Sequence, residues 1–117
     1  MRSQRGSASV HALWVVVGLT VVAVIVVQVV ALVQLRHRAA AAADLAALAA
    51  SGASARGLDG CARAVEVARA NGADLEDCRM DLDVATVTTR LRSEPWWGGE
   101  WITVQRARAA PVDYVDP

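Results

Sequence analysis

A chain of 117 residues with equal numbers of acidic and basic side chains has room for one ordinary domain, and the absence of a basic excess argues against nucleic-acid binding, which favours a basic face. The balance conceals an asymmetry: residues 1–57 carry five Arg against Asp44 alone, a net +4, while residues 58–117 carry seven Arg against eleven acids, a net −4. A basic half around an apolar span points to a membrane.

Residues 1–11 form a short basic segment with Arg2 and Arg5, and from Gly6 to Leu35 there is no Asp, Glu, Lys or Arg. Within that run Ala12 to Val33 has only Thr20 and Gln28 as clearly polar side chains. As a helix it spans roughly 33 Å, against a bilayer core of about 30 Å. Val is abundant here and favours strands in water, but in lipid a single segment satisfies its backbone only as a helix. Residues 12–35 are therefore read as a transmembrane helix, with Trp14 anchoring one interface. A cleaved secretory signal has an apolar core of about 7–15 residues. This run is longer, and no Ala-x-Ala site ends a short apolar run before Arg36. Basic groups flank both ends, Arg2 and Arg5 on one side and Arg36, His37 and Arg38 on the other, so charge alone nearly ties the orientation. A short N-terminal tail before a C-terminal domain suits a cytoplasmic N-terminus.

After Arg38 come Ala39 to Ala43 and Asp44-Leu45-Ala46-Ala47-Leu48-Ala49-Ala50. Ala is the strongest helix former, so the membrane helix is expected to run on to about Ser51, with residues 36–55 its extracytoplasmic continuation and Gly52 and Gly57 bracketing its end. Leu45 and Leu48, three apart, mark the expected packed face, the alternative being a low-complexity run. Asp59 suits the N-cap of a second helix, Gly60 to Ala70, with Cys61, Val65 and Ala68 on one face and Asn71-Gly72 as its stop. Strand patterns follow at Leu75 to Met80, with Asp81-Leu82-Asp83 as a turn, and at Val84 to Leu91. Ser93 to Gly99 reads as a loop, and Trp101 to Ala109 as a strand forming an antiparallel hairpin with the preceding one. The fold class is α+β: a long N-terminal transmembrane α-helix continuing into a small domain, residues 57–110, with a second short helix and a two- or three-stranded antiparallel sheet, then a loose tail, 111–117.

A domain this small is marginal alone. Cys61 and Cys78 are the only cysteines, one on the second helix and one on the first strand. Two buried thiols are one reading; an even count in a small core favours a disulfide, worth roughly 3 kcal/mol in the chain-entropy model. Such a bridge puts the domain outside the cytoplasm.

Little else carries chemistry. His11 and His37 stand at opposite ends of the membrane helix, about 39 Å apart, and cannot share a metal. Gly52-Ala53-Ser54-Ala55-Arg56 begins like a nucleophile elbow but lacks its second Gly, a preceding strand and a nearby His. No phosphate-binding loop or dinucleotide fingerprint is present. Asp74, Glu76, Asp77, Asp81 and Asp83 lack calcium-loop spacing and suit a solvated hairpin edge. No catalytic, cofactor-binding or metal residue, and no small-molecule substrate, is expected; the protein is read as a non-enzyme. Trp96, Trp97 and Trp101 cluster in one loop. They either fold onto the small sheet or contact a partner or membrane.

Several segments together resemble a known family: Arg5-Gly6-Ser7-Ala8-Ser9-Val10, the apolar span, Arg36-His37-Arg38-Ala39 through Asp44-Leu45-Ala46-Ala47-Leu48-Ala49-Ala50, the Cys61 helix, Ala70-Asn71-Gly72-Ala73, Cys78-Arg79 and Arg106-Ala107-Arg108-Ala109-Ala110-Pro111-Val112-Asp113. They look like the actinobacterial TadE-like proteins of the helicase/secretion-neighbourhood group, over nearly the whole chain. The resemblance implies a pilin-like domain and a minor pseudopilin-like component of a Tad (Flp pilus) or related type IV secretion-filament system. Its implied partners are the membrane, other pilin-like subunits including a major pilin, an inner-membrane assembly platform and a secretion ATPase. It also implies a basic leader cut after Gly6, leaving Ser7 first. Such precursors carry Glu at the fifth mature position, where this chain has His11. The alternative function is a membrane-tethered binding module whose Trp loop captures a protein or envelope polymer.

Overall fold

A computed structural model describes residues 2–94 and 97–115, with side chains from Gly6 onward. The chain divides into two compact units, residues 1–33 and 34–117. Its elements are α1 (Arg2–Ala55), α2 (Gly60–Ala70), β1 (Asp74–Asp81), β2 (Val84–Ser93) and β3 (Trp101–Ala109), an α+β arrangement.

The first unit is helix throughout its described residues and holds an 18-residue stretch of mean hydropathy 3.0, none of it buried, long and apolar enough to cross a membrane. Thr20 donates its hydroxyl to Val16 O at 2.8 Å, which satisfies that polar group within the helix.

In the second unit the strands form one antiparallel sheet in the order β1-β2-β3. Alternation turns Leu75, Cys78 and Met80, then Ala85, Val87, Thr89 and Leu91, then Ala107 and Ala109 to one face. A register shift between Leu75 and Asp77 inserts Glu76 as a bulge, so Leu75 and Cys78 point inward while Asp74 and Asp77 share the outer face. The inner face packs against Ala43, Ala46, Ala47 and Ala50 of α1 and Ala64 and Ala68 of α2.

That packing corrects the expectation for Leu45 and Leu48, which are 46 % and 59 % exposed. The buried stripe is the Ala row at i, i+3, i+4 and i+7, whose small side chains let the other layer come close. Approach is close at Gly60, where a Cβ would stand 2.6 Å from Ala50 O and 3.1 Å from Met80 Sδ. On α2 the fully buried positions are Gly60, Ala64 and Ala68, while Cys61 and Val65 are half-buried.

Both helices end in the same way. Gly57 (φ 75) donates to Ser54 O and Leu58 to Ala53 O; Gly72 (φ 76) donates to Arg69 O and Ala73 to Ala68 O. Each is a Schellman stop with glycine in the left-handed region. Gly52 lies inside the last turn of α1, which ends at Ala55, a little past Ser51 and between the bracketing Gly52 and Gly57. Asp59 caps α2 by accepting from Ala62 N at 3.1 Å. The last turns of α1 also hold the β1–β2 turn: Ser51 donates to Asp83 O at 2.7 Å, and Ser54 to the Asp83 carboxylate at 2.9 Å.

Thr89 is fully buried between these layers, and its hydroxyl has no hydrogen-bond partner among the described residues. Thr89→Val keeps the shape and removes the unsatisfied group. It is expected to raise the unfolding free energy by about 1 kcal/mol, read by denaturation of the detergent-solubilised protein; a loss of stability would show that the hydroxyl is needed.

Candidate functional site

The described residues hold no group of three or more His, Cys, Asp or Glu able to bind a metal ion. The features to weigh are therefore surfaces and covalent links.

Cys61 and Cys78 form a disulfide with Cα atoms 5.8 Å apart, joining the first turn of α2 to the middle of β1. No described cysteine is free. Gly6 and Ser7, the expected leader junction, lie in the first turns of α1 and are exposed. His11 Nδ1 lies 2.7 Å from Ser7 O on the next turn.

The tryptophans divide. Trp101 opens β3, is half-buried, and packs on Leu35, Ala39, Ala42, Ala73 and Leu91, so it belongs to the hydrophobic interior of the second unit. Trp97 meets it edge-on at 5.3 Å between ring centroids and is 46 % exposed. Trp96 lies outside the described residues. Arg92 and Glu100, an exposed pair at 3.5 Å, link the two ends of the loop and add little stability.

On α1 the side away from the sheet bears Ala41, Asp44, Leu45 and Leu48, all exposed. It is an apolar strip interrupted by one carboxylate, with no other element of the second unit packed upon it.

The outer face of the sheet forms no sequence motif, because its charges are scattered along the chain. Pairing assembles them into rows: Asp74–Arg90–Val104, Asp77–Thr88–Arg106 and Arg79–Thr86–Arg108. Arg90 pairs with Glu76, and Arg79 with Asp81 at 3.2 Å. The alternation Ile102, Val104, Arg106, Arg108 on β3, all exposed, was the available signal.

The chain matches no family model, no curated protein and no solved structure.

Proposed function

We propose that this chain is a membrane-anchored subunit that acts by assembling with other helical membrane subunits, in the manner of a minor pseudopilin of a Tad (Flp) pilus or related secretion filament. The observation that carries the reading is the division of labour on α1. One helix holds an apolar span, an Ala row covered by the sheet, and an uncovered Leu45–Leu48 strip facing the other way. Such a strip suits the close approach of a second helix. The resemblance to TadE-like proteins, carried by Arg36 to Ala50, supplies the particular apparatus. The disulfide supports an extracytoplasmic domain, hence a cytoplasmic N-terminus and a single pass through the cell membrane. Processing after Gly6 belongs to the same proposal.

Photo-crosslinking residues placed at Leu45 and Leu48 in producing cells test it. The expected adducts are with another membrane protein bearing an N-terminal apolar helix, or with a second copy. Adducts to lipid or soluble protein alone would sink it. Leu48→Glu should abolish adducts from position 45, and Leu45→Glu those from position 48, while each changes stability by no more than about 0.5 kcal/mol, since both positions are exposed.

Trp97 supports a second reading, a tethered module that captures a partner, because a large part of its ring is open to solvent. Crosslinks from Trp97 to one envelope component, with none from Leu45 or Leu48, would favour that reading.

A further inference from the structure

The sheet is electrostatically polar from edge to edge. Strand β1 (DLEDCRMD) carries four acids and one Arg, whereas β3 (WITVQRARA) carries two Arg and no acid. Both are edge strands, because only β2 has a neighbour on each side. Part of the charge is internally matched, Glu76 with Arg90 and Asp81 with Arg79. What is left over falls at opposite edges. Asp74 and Asp77 are exposed on β1, Arg106 and Arg108 are exposed on β3, and none of the four has an ion-pair partner among the described residues.

The bulge at Glu76 matters here. Without it, residues 74 and 77 would face opposite sides; with it, both acids stand on the outer face, the face that carries Arg106 and Arg108. Two further observations bear on the edges. Strand β3 has nine residues, and its first half shows exposed Ile102 and Val104, so only Arg106 and Arg108 guard that edge against pairing. Strands β1 and β3 also run in the same direction, since each is antiparallel to β2. A copy displaced sideways without inversion therefore presents its acidic edge to the basic edge of its neighbour.

From this we infer that a second copy of the chain docks head-to-tail, the β1 edge of one copy beside the β3 edge of the next and slipped by about two residues along the strand relative to the rows within one sheet, so that Asp74 and Asp77 face Arg106 and Arg108 and Arg79 does not oppose Arg108. The inference rests on the assembly reading and gives it a second contact, independent of the Leu45–Leu48 strip. The contact is heterologous, so it adds copies in series instead of stopping at a symmetric pair. Opposite charges set its register and direction more than its strength.

The test uses the full-length chain in a non-ionic detergent, with sedimentation velocity as readout. Wild-type protein should self-associate at low ionic strength and do so at least about tenfold more weakly near 0.5 M salt, where exposed charges are screened over a few ångströms. Arg106→Glu with Arg108→Glu makes both edges acidic, and Asp74→Arg with Asp77→Arg makes both edges basic. Each variant alone should associate at least tenfold more weakly than wild type. An equimolar mixture of the two should recover wild-type association, because the acidic β3 edge of one meets the basic β1 edge of the other. Recovery also shows that both variants are folded, and their disulfides are checked by thiol titration. Wild-type association that ignores salt and both double substitutions would overturn the inference while leaving assembly through α1 intact. A mixture that fails to recover, with both variants oxidised and melting normally, would overturn it too. A wild-type chain that stays monomeric throughout, and gives no crosslink from Leu45 or Leu48, would remove the assembly reading as well.

Discussion

Replacing Cys61 with Ser is expected to remove about 3 kcal/mol of stability, as the bridge closes a loop of 17 residues between α2 and β1. Against a typical domain stability of about 5–15 kcal/mol that is a large share, and this domain has little in reserve. Its interior is built mainly of Ala, with Val87 and Thr89 the largest fully buried side chains. Each Ala buries little area, so the apolar contribution per residue is small. The double replacement Cys61→Ser with Cys78→Ser should behave like the single one, because both lose the same covalent link. Thermal unfolding in detergent, with and without reductant, reads the effect. A reduced protein that melts with the oxidised one would show that α2 is held by packing alone. The same cysteines report topology: an impermeant maleimide on intact cells should label them only after reduction. Labelling that needs lysis but no reductant would place the domain in the cytoplasm and take away the support for a pseudopilin-like orientation.

The second large effect is expected at Ala46. It is fully buried within the cluster formed with Ala47, Ala85, Val87 and Ala107. Ala46→Leu adds three heavy atoms where α1 lies close under the sheet, and should cost about 1–3 kcal/mol by overpacking. Leu45→Ala, one position along the same helix, should change stability by no more than about 0.5 kcal/mol, since Leu45 faces outward. Ordinary expectation runs the other way, with loss of a Leu the costly change. Chemical denaturation of the two variants side by side decides it; a larger loss at Leu45 than at Ala46 would reverse the assignment of the helix faces.

The faces of α1 show where sequence reading failed, and why. Residues 39–50 are so rich in Ala that buried and exposed sides have nearly the same composition. The two Leu are then the only periodic signal, and they lie on the exposed side. Where contrast between positions was strong, reading succeeded. The Val and Thr alternation of β2, the turn at Leu82, the Asp59 cap and the Asn71-Gly72 stop all emerge as read. Gly52 and Gly57 bracket the end of α1 at Ala55 as read, and the stop falls at the second of them, where the chain turns left-handed. For Trp101 the sequence left two readings open, packing onto the sheet or contact with a partner, and its place on β3 turns it inward onto Leu35 and Leu91. The acids of β1 were legible as a hairpin edge, but the gathering of Asp74, Asp77, Arg106 and Arg108 on one face was not, because it needs the strand register and the bulge at Glu76, which pairing alone defines.

The serine contacts from α1 to the β1–β2 turn also bear on the order in which the molecule is made. Ser51 and Ser54 reach across 28 to 32 residues of chain to Leu82 and Asp83, whereas the sheet joins strands that follow one another directly. By the time the turn leaves the ribosome, every residue of α1 has been synthesised, and its Ala-rich stretch favours the helix from the outset. The hairpins then fold through short-range contacts, and closure over the waiting helix comes last. On this timetable the two hydroxyls act as a latch on a finished sheet. Docking of that sheet is then the expected last step, and until it occurs the Ala row lies open to other chains.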